Sequence, residues 1–244
     1  MIGHQVATFS SLESTNSHLK KMISATAIAE GFAVRAKYQT LGRGQIGNTW
    51  VSEMGKNLLL SVFLKPQRLP VQQYFFLNMS VCLALVDCLN HFAQGFILKW
   101  PNDILFEKKK VAGILIENSI AGAAIQHSIV GIGLNVNQRV FSDSFNPKAT
   151  SLATVLGKSI VIEEVQKKLF EHLQIRYQQL QLDAGSLKSD YYNNLHGYRT
   201  EVPVYLDGQP QTLQIEGVAD NGQLQTTIGG LQRTFDFKEL RFLF

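Results

Sequence analysis

The spacing of apolar residues changes once along the chain. Up to about residue 192, long apolar runs alternate with helical spacings, whereas after Tyr198 the runs are short and strand-like. Three dipeptides that favour tight turns separate these short runs, namely Asp207-Gly208, Asn221-Gly222 and Gly229-Gly230. The pattern predicts a main domain over residues 1–192 and a small β-barrel-like domain over residues 193–244.

Three segments of the main domain have the apolar spacing of helices. An early helix is predicted from Leu19, Ile23 and Ala27. Ser14 or Thr15 would supply the hydroxyl that caps its free amides. Residues 70–92 begin with a proline and stay apolar, which predicts a buried helix. Residues 162–180 carry apolar side chains every three or four positions, which predicts an amphipathic helix over one face of a sheet.

Short apolar runs predict the strands of that sheet. The runs are Asn57–Leu64, Ile97–Trp100, Ile104–Phe106, Val111–Glu117 and about Ile125–Leu134. Residues 107–109 are predicted to form the turn between the third and fourth runs.

Composition changes this picture little. The 244 residues are 45% hydrophobic and 17% charged, which is typical of a globular protein and excludes a disordered or fibrous chain. With 23 basic and 19 acidic residues, the excess of positive charge is too modest to identify a nucleic-acid partner. Cys82 and Cys88 lie in the predicted buried helix without a CxxC pattern, so we expect buried free thiols and a reducing compartment.

The N-terminus lacks the basic stretch and apolar core of a secretion signal. No run of about 18 apolar residues was found in the sequence. We therefore expect a cytoplasmic protein that does not bind membranes.

Two glycine-rich segments could approach a ligand closely. Residues 39–50 (QTLGRGQIGNTW) hold three glycines in six positions, so backbone amides could wrap an anion or a polar ring; a mobile surface loop is the alternative. The Gly-Lys-Ser/Thr ending of a P-loop is missing. Residues 131–137 (GIGLNVN) add two amide side chains that could pair a nucleobase or ribose, with a β-bulge as the alternative.

Two further segments carry charge into apolar surroundings. In residues 99–103 (KWPND), Asn102 and Asp103 could bind a ligand or simply close a turn. In residues 110–117 (KVAGILIE), a lysine that enters a buried strand would need an anion. Residues 107–110 could instead form a solvated turn, which is our interpretation for Lys108 and Lys109.

Together, in this order, the four segments resemble the biotin–protein ligase family. The combination is far more specific than any one segment, and KWPND followed by KVAGIL is the strongest match. The resemblance runs from about Ser14 to Leu152 and continues more weakly into the C-terminal region. It implies an α+β fold, in which a mixed β-sheet flanked by helices (a class II synthetase-like catalytic domain) precedes a small SH3-like β-barrel.

The resemblance also implies residue roles. The biotin-binding set is Ser14, Thr15, Asn16, Gln39, Gly42, Arg43, Lys110, Gly113 and Ile114, with Ser14, Thr15 and Gln39 bonded to the ureido ring. The adenylate-binding set is Gly44, Gln45, Asn48, Trp50, Asn102 and Asn135. Lys110 would bind the biotin carboxylate and then the phosphate, assisted by Arg43. Asp103 would lie near the acyl carbon and help deprotonate the incoming lysine. No metal ligand is assigned to a protein side chain.

The implied reaction uses ATP, Mg²⁺ and biotin, and it modifies a lysine of a biotin carboxyl carrier domain, as in acetyl-CoA carboxylase. A homodimer is a possible assembly. Two features depart from the family pattern. Gln45 and Asn48 replace arginines of the usual Gly-Arg-Gly-Arg-x-Gly-Arg-x-Trp loop. About a dozen residues precede Ser14, too few for a helix-turn-helix domain, so we expect no specific DNA binding.

Two other functions compete with this interpretation. A lipoate–protein ligase or related acyl transferase would share the fold, but a dithiolane offers no ureido group to Ser14, Thr15 and Gln39. A nucleic-acid-binding protein would suit the pI near 9.0. However, the basic residues after position 199 have no evident stacking platform.

Overall fold

The computed structural model describes residues 1–45, 47–67, 69–142, 145 and 147–244. Its larger sheet has seven strands: β1 Val6–Phe9, β2 Ala33–Ala36, β3 Leu58–Leu64, β4 Phe96–Lys99, β5 Asp103–Phe106, β6 Lys109–Ala121 and β7 Ala124–Leu134. Their order is β1-β2-β3-β7-β6-β5-β4. Only β1 and β2 pair in parallel among these neighbours, so the sheet is mixed, as expected.

Helices cover both faces of this sheet. They are α1 Thr15–Ala25, α2 Phe75–Asn90, α3 Leu152–Leu156, α4 Ile162–Leu182 and α5 Ala184–Asn194, with a 3₁₀ turn at Val71–Gln73. Helix α2 is buried nearly all round and packs between the sheet and the apolar stripe of α4. On the opposite face, Leu19 of α1 packs against Val34, Phe63 and Ile129.

The predicted elements are confirmed in kind and differ mainly at their ends. Ser14 is the cap of α1, because its hydroxyl accepts a hydrogen bond from Ser17 N at 3.4 Å. The early helix ends at Ala25, so Ala27 lies outside it. Strands β1 and β2 were not predicted, because a polar residue interrupts each short segment (VATF and AVRA), whereas β4 and β5 contain uninterrupted apolar runs.

The second sheet is antiparallel and lies at the C-terminus. Its strands are β8 Glu201–Leu206, β9 Gln209–Val218, β10 Leu224–Ile228, β11 Leu231–Phe235 and β12 Leu240–Phe242, in the order β11-β10-β9-β8-β12. The predicted turn dipeptides join successive strands, and Asp207 and Gly208 both have positive φ. Among the described residues no pairing joins β11 to β12, so this is a small SH3-like sheet without barrel closure.

Two features of the apolar core bear on the predictions. Cys82 and Cys88 are free and buried as expected, and burial raises the pKa of both thiols. The segment Val71–Asn90 is long and apolar enough to cross a membrane by length and composition. However, 72% of it is buried inside the fold, which is typical of a core helix.

Candidate active site

A cavity of about 610 Å³ opens between the seven-stranded sheet, the loop 39–50 and the C-terminal sheet. Of the predicted site residues, Gly42 alone does not line it. Those that do are Ser14, Thr15, Asn16, Gln39, Arg43, Gly44, Gln45, Asn48, Trp50, Asn102, Asp103, Lys110, Gly113, Ile114 and Asn135. The fold therefore gathers residues that are up to 121 positions apart into one cleft.

One end of the cavity is a network of neutral polar groups at the start of α1. Gln39 Oε1 lies 2.7 Å from Thr15 N and 3.0 Å from Thr15 Oγ1. Ser61 Oγ lies 2.7 Å from Thr15 Oγ1 and 2.6 Å from Asn16 Oδ1. Asn16 Nδ2 donates to Leu115 O and to a Glu117 carboxylate oxygen. These bonds hold Thr15, Asn16 and Gln39 in fixed orientations toward the cavity.

A charged cluster occupies another part of the cavity. Asp103 accepts from Lys110 Nζ at 2.5 Å and from Lys99 Nζ at 2.7 Å. Burial alone would raise the pKa of Asp103, but the two ammonium groups outweigh it and hold that pKa below its ordinary value. The cluster of one carboxylate and two ammonium groups has a net positive charge, which suits an anionic ligand.

The Trp50 side chain packs against the backbone of two glycines in the sheet. Gly113 and Gly133 are cross-strand partners in β6 and β7, and a Cβ on Gly133 would lie 2.4 Å from the indole ring. The Lys110 ammonium lies 5.5 Å from the centre of the same ring. The indole Nε1 is buried and has no hydrogen-bond partner among the described residues. The glycines of segment 131–137 thus allow another group to lie close to the backbone, as predicted. Here that group is a protein side chain and not a ligand.

The glycine-rich loop folds back on itself as a short hairpin. Trp50 N donates to Gly42 O at 2.9 Å, and Gly44 N donates to Asn48 O at 2.8 Å. A Cβ on Gly42 would collide with the Trp50 carbonyl oxygen, which explains that glycine. Arg43 pairs with Glu117 at 3.1 Å, so its guanidinium is tied to β6. Ile46 of this loop lies outside the described residues.

The two predicted amides, Asn102 and Asn135, are both bonded to backbone. Asn102 Nδ2 donates to Ile114 O at 2.5 Å, and Asn135 Nδ2 donates to Thr150 O at 3.1 Å. Asn102 therefore ties its turn to β6. Each NH₂ group keeps a second hydrogen that could reach a ligand.

The C-terminal sheet contributes to the cavity in a way that the sequence did not indicate. Phe237, Leu240, Arg241 and Phe242 line the cavity. The indole of Trp100 donates to Gly222 O at 2.9 Å, which anchors the KWPND turn to this sheet. Sequence reasoning also missed Lys99, which lines the cavity, and Ser61 and Glu117, which hydrogen-bond to the lining residue Asn16. Ser61 alone left a signal, as the single polar residue in an apolar run.

Among the residues that the structure describes, no three His, Cys, Asp or Glu side chains cluster as they would to hold a metal ion. Asp103, the buried carboxylate of the cavity, is already paired with two ammonium groups. The described side chains therefore do not fit a protein-held Mg²⁺.

The fold and the cleft together define a ligand-binding α+β domain followed by an SH3-like sheet. Residues 8–135 match the model of the biotin/lipoate A/B protein ligase family. The chain belongs to this family, and similar proteins in it are named as biotin ligases.

Three similar proteins illustrate the relationship. Over 222 residues the chain is 30% identical to the biotin–[acetyl-CoA-carboxylase] ligase of Mycobacterium tuberculosis, covering 89% of this chain and 81% of that relative. Over 135 residues it is 38% identical to the bifunctional ligase/repressor BirA of Bacillus subtilis, covering 54% and 41%. A solved structure, biotin protein ligase from Aquifex aeolicus in complex with biotin and ATP, matches with a TM-score of 0.81 and 26% identity, covering 98% of this chain and 100% of that one.

Proposed function

We propose that the protein is an ATP-dependent biotin–protein ligase that modifies a lysine of a biotin carboxyl carrier domain. One observation carries the proposal: a single cavity joins a neutral donor and acceptor network around Thr15 and Gln39 to the cationic cluster around Lys110. This arrangement suits a ligand with a polar ring at one end and a carboxylate at the other. The names of the relatives support the same activity.

The reaction has two balanced steps. A biotin carboxylate oxygen attacks the α-phosphorus of ATP, pyrophosphate leaves, and biotinyl-5'-AMP forms. The neutral amine of the carrier lysine then attacks the acyl carbon, AMP leaves, and the amine proton passes to a base. Both steps bring anions or a polar acyl phosphate together, so the protein's task is alignment and charge neutralisation.

Lys110 and Arg43 supply the positive charge in this proposal. Lys110 is inside the cavity and half-buried, and it would exchange Asp103 for the biotin carboxylate and then the phosphate. Arg43 would likewise exchange Glu117 for a ligand oxygen. The orphaned indole N–H of Trp50 is a further donor for the adenylate.

The existing hydrogen bonds indicate how the polar end of the cavity would hold the ureido ring of biotin. Thr15 and Gln39 would bond the ureido ring, with Ser14 beside them at the helix cap. Asn16 already donates both amide hydrogens, to Leu115 O and to Glu117. It would therefore contact the ring by packing and not by donating a hydrogen bond. Gly113 and Ile114 would flank the ligand from β6.

Asp103 is a weak base while both lysines hold it. Deprotonation of the carrier lysine by Asp103 therefore requires that Lys110 has already moved to the ligand. Mg²⁺ is expected to arrive with ATP, as part of the nucleotide substrate.

The strongest rival is a lipoate–protein ligase, which the family match alone permits. Exchange of labelled pyrophosphate into ATP should require biotin and should be slower by at least about 100-fold with lipoate or octanoate. Lipoate-dependent exchange at the biotin rate would replace the proposal with its rival.

Four wider proposals accompany this function. We place the enzyme in the cytoplasm, a reducing compartment that suits its two free buried cysteines. We expect no operator-specific duplex binding; nanomolar, sequence-selective binding at physiological salt would contradict this. The domain boundary near residue 192 and a homodimer also remain proposals.

A further inference from the structure

Strand β3 contains one polar side chain, Ser61, in the sequence LLLSVFL. The strand is buried along its whole length, and Ser61 itself has no exposed surface. Ser61 does not line the cavity, so it cannot contact a ligand directly. A buried hydroxyl costs stability unless it is bonded, and Ser61 spends its bonding capacity on the two residues that open α1.

The neighbouring strand, β7, also contacts the residues that begin α1. Gly131 of β7 is the cross-strand partner of Ser61, and a Cβ there would lie 2.4 Å from Asn16 Oδ1. Asn16 therefore lies directly against the bare backbone of Gly131, beside the Ser61 hydroxyl. Any larger residue at position 131 would push Asn16, and with it Thr15, away from the sheet.

The number of protons then fixes the direction of the hydrogen bonds. Asn16 Nδ2 faces two oxygen acceptors, so Oδ1, which can only accept, is the atom that faces Ser61. The single proton of Ser61 is therefore needed at Asn16, because two bare oxygens 2.6 Å apart would repel each other. The Thr15 hydroxyl proton then has two acceptors within the protein, Ser61 Oγ at 2.7 Å and Gln39 Oε1 at 3.0 Å, and Ser61 Oγ is the nearer of the two.

This order defines what Thr15 presents to a ligand. Because both of these acceptors belong to the protein, Thr15 Oγ1 can offer a ligand only a lone pair. Gln39 complements it, because its Oε1 accepts from Thr15 N while its Nε2 has no partner among the described residues. The end of the cavity thus offers one acceptor and one donor side by side, which matches the N–H and C=O of a cyclic urea or lactam.

We propose that Ser61 is a positioning residue that, together with Gln39, holds Thr15 as a hydrogen-bond acceptor and so selects acids bearing a cyclic urea. The inference rests on the proposed function and deepens it. Without Ser61, the Asn16 oxygen would lose its donor, and the Thr15 hydroxyl would be held by Gln39 Oε1 alone, at the longer distance of 3.0 Å.

The test measures binding of biotin and desthiobiotin, both of which carry a cyclic urea, by isothermal titration calorimetry. Ser61→Ala should weaken both ligands about tenfold, the value of one lost buried hydrogen bond, while the KM for ATP stays within about twofold of wild type. Ser61→Cys, which keeps a weak donor, should weaken both ligands by about threefold and so give partial rescue.

Ser128→Ala is the matched control. Ser128 is a fully buried serine on β7 that makes a side-chain hydrogen bond to Asn118 but does not line the cavity, and among the described residues no hydrogen bond joins its side chain to α1. It should bind both ligands like wild type.

The possible results distinguish a failure of the proposed function from a failure of the role proposed for Ser61. If wild-type protein binds neither ligand, the proposed function fails. If wild type binds both but Ser61→Ala or Ser61→Cys binds them equally well, or if Ser128→Ala loses as much affinity as Ser61→Ala, the role of Ser61 is only structural.

Discussion

At the scale of single residues, the chemistry depends on three charges that share one small volume. Asp103 is buried between Lys99 and Lys110, and each contact is 2.7 Å or shorter. The sequence predicted that Lys110 would need an anion, and the structure supplies Asp103 as that anion. Lys108 and Lys109 are exposed as expected, although Lys109 already belongs to β6 and only Lys108 lies in the turn. The three adjacent lysines therefore allow a controlled comparison.

Lys110→Gln should lower biotin-dependent pyrophosphate exchange on the order of 100-fold, because it removes the cation that offsets repulsion between carboxylate and phosphate. Lys108→Gln and Lys109→Gln, measured in the same assay, should stay near wild type. Transfer from supplied biotinyl-adenylate should fall less, since that step needs less neutralisation. Equal exchange rates in all three variants would mean that Lys110 is part of the solvated turn.

Asp103→Asn should destabilise the fold by about 3 kcal/mol at neutral pH, because two partly buried ammonium groups lose their counter-ion. The folded-state pKa of Asp103 is depressed, so its contribution is complete above the unfolded value of about 4 and disappears as pH falls through the folded value. Thermal unfolding of both proteins from neutral pH to about pH 2 should therefore converge at the acid end.

Asp207→Asn removes the same charge from an exposed turn and serves as the control. A stability difference between wild type and Asp103→Asn that is independent of pH would contradict the ion-pair explanation.

At the scale of elements, the hairpin formed by residues 39–50 and the glycines beneath it form one unit. Gly113 and Gly133 let Trp50 lie flat on the sheet, and Gly42 lets the hairpin close against the Trp50 carbonyl. Arg43 ties the hairpin to Glu117 of β6. Gln45 and Asn48 also line the cavity, at positions where the family loop commonly has arginine.

Replacing Gln45 and Asn48 together by arginine should slow release of biotinyl-adenylate, because two added cations would face the phosphate. The expected change is about three- to tenfold in the dissociation rate, as for exposed charge pairs, and it should shrink at high salt. Stopped-flow displacement of the adenylate measures this rate. An unchanged rate at low salt would show that these positions do not contact the intermediate.

At the scale of the whole molecule, the C-terminal sheet is joined to the KWPND turn. The Trp100 indole donates to Gly222 O, and the Trp100 and Phe237 rings lie 5.4 Å apart. Lys188 of α5 pairs with Asp220, next to the same turn between β9 and β10. These contacts connect the second sheet to the residues that hold Asn102 and Asp103.

Trp100→Phe should lower the free energy of unfolding by about 1–3 kcal/mol, since Gly222 O loses its donor and the smaller ring leaves a gap. Adenylation should fall as well, because the turn that carries Asn102 and Asp103 loosens. Urea unfolding and pyrophosphate exchange test the two effects. Tyr205→Phe, which removes an exposed hydroxyl from the same sheet, should change neither.

Much of the fold could be predicted from local pattern. Local pattern predicted three features: the apolar positions of α4, the buried run of α2 and the turn dipeptides of the C-terminal sheet. Each depends on residues that are close in sequence, because helical spacing and the positive φ of a turn involve only neighbouring positions. The clustering of the four chemical segments was expected only through a family resemblance. Strands β1 and β2 were not predicted because each lacks an uninterrupted apolar run, and their place in the sheet depends on pairing with each other and with β3.

The sequence by itself determined most of the element types and the charged turn that precedes Lys110, whereas most of the polar residues that line the cavity were predicted only through the resemblance to a family. Only the tertiary structure decided what those residues bond to. Ser61 meets Thr15 across 46 positions, Asn16 meets Glu117 across 101, and Trp100 meets Gly222 across 122. Such contacts arise from strand order and sheet register, which depend on the packing of the whole chain and leave no trace in the spacing of neighbouring residues.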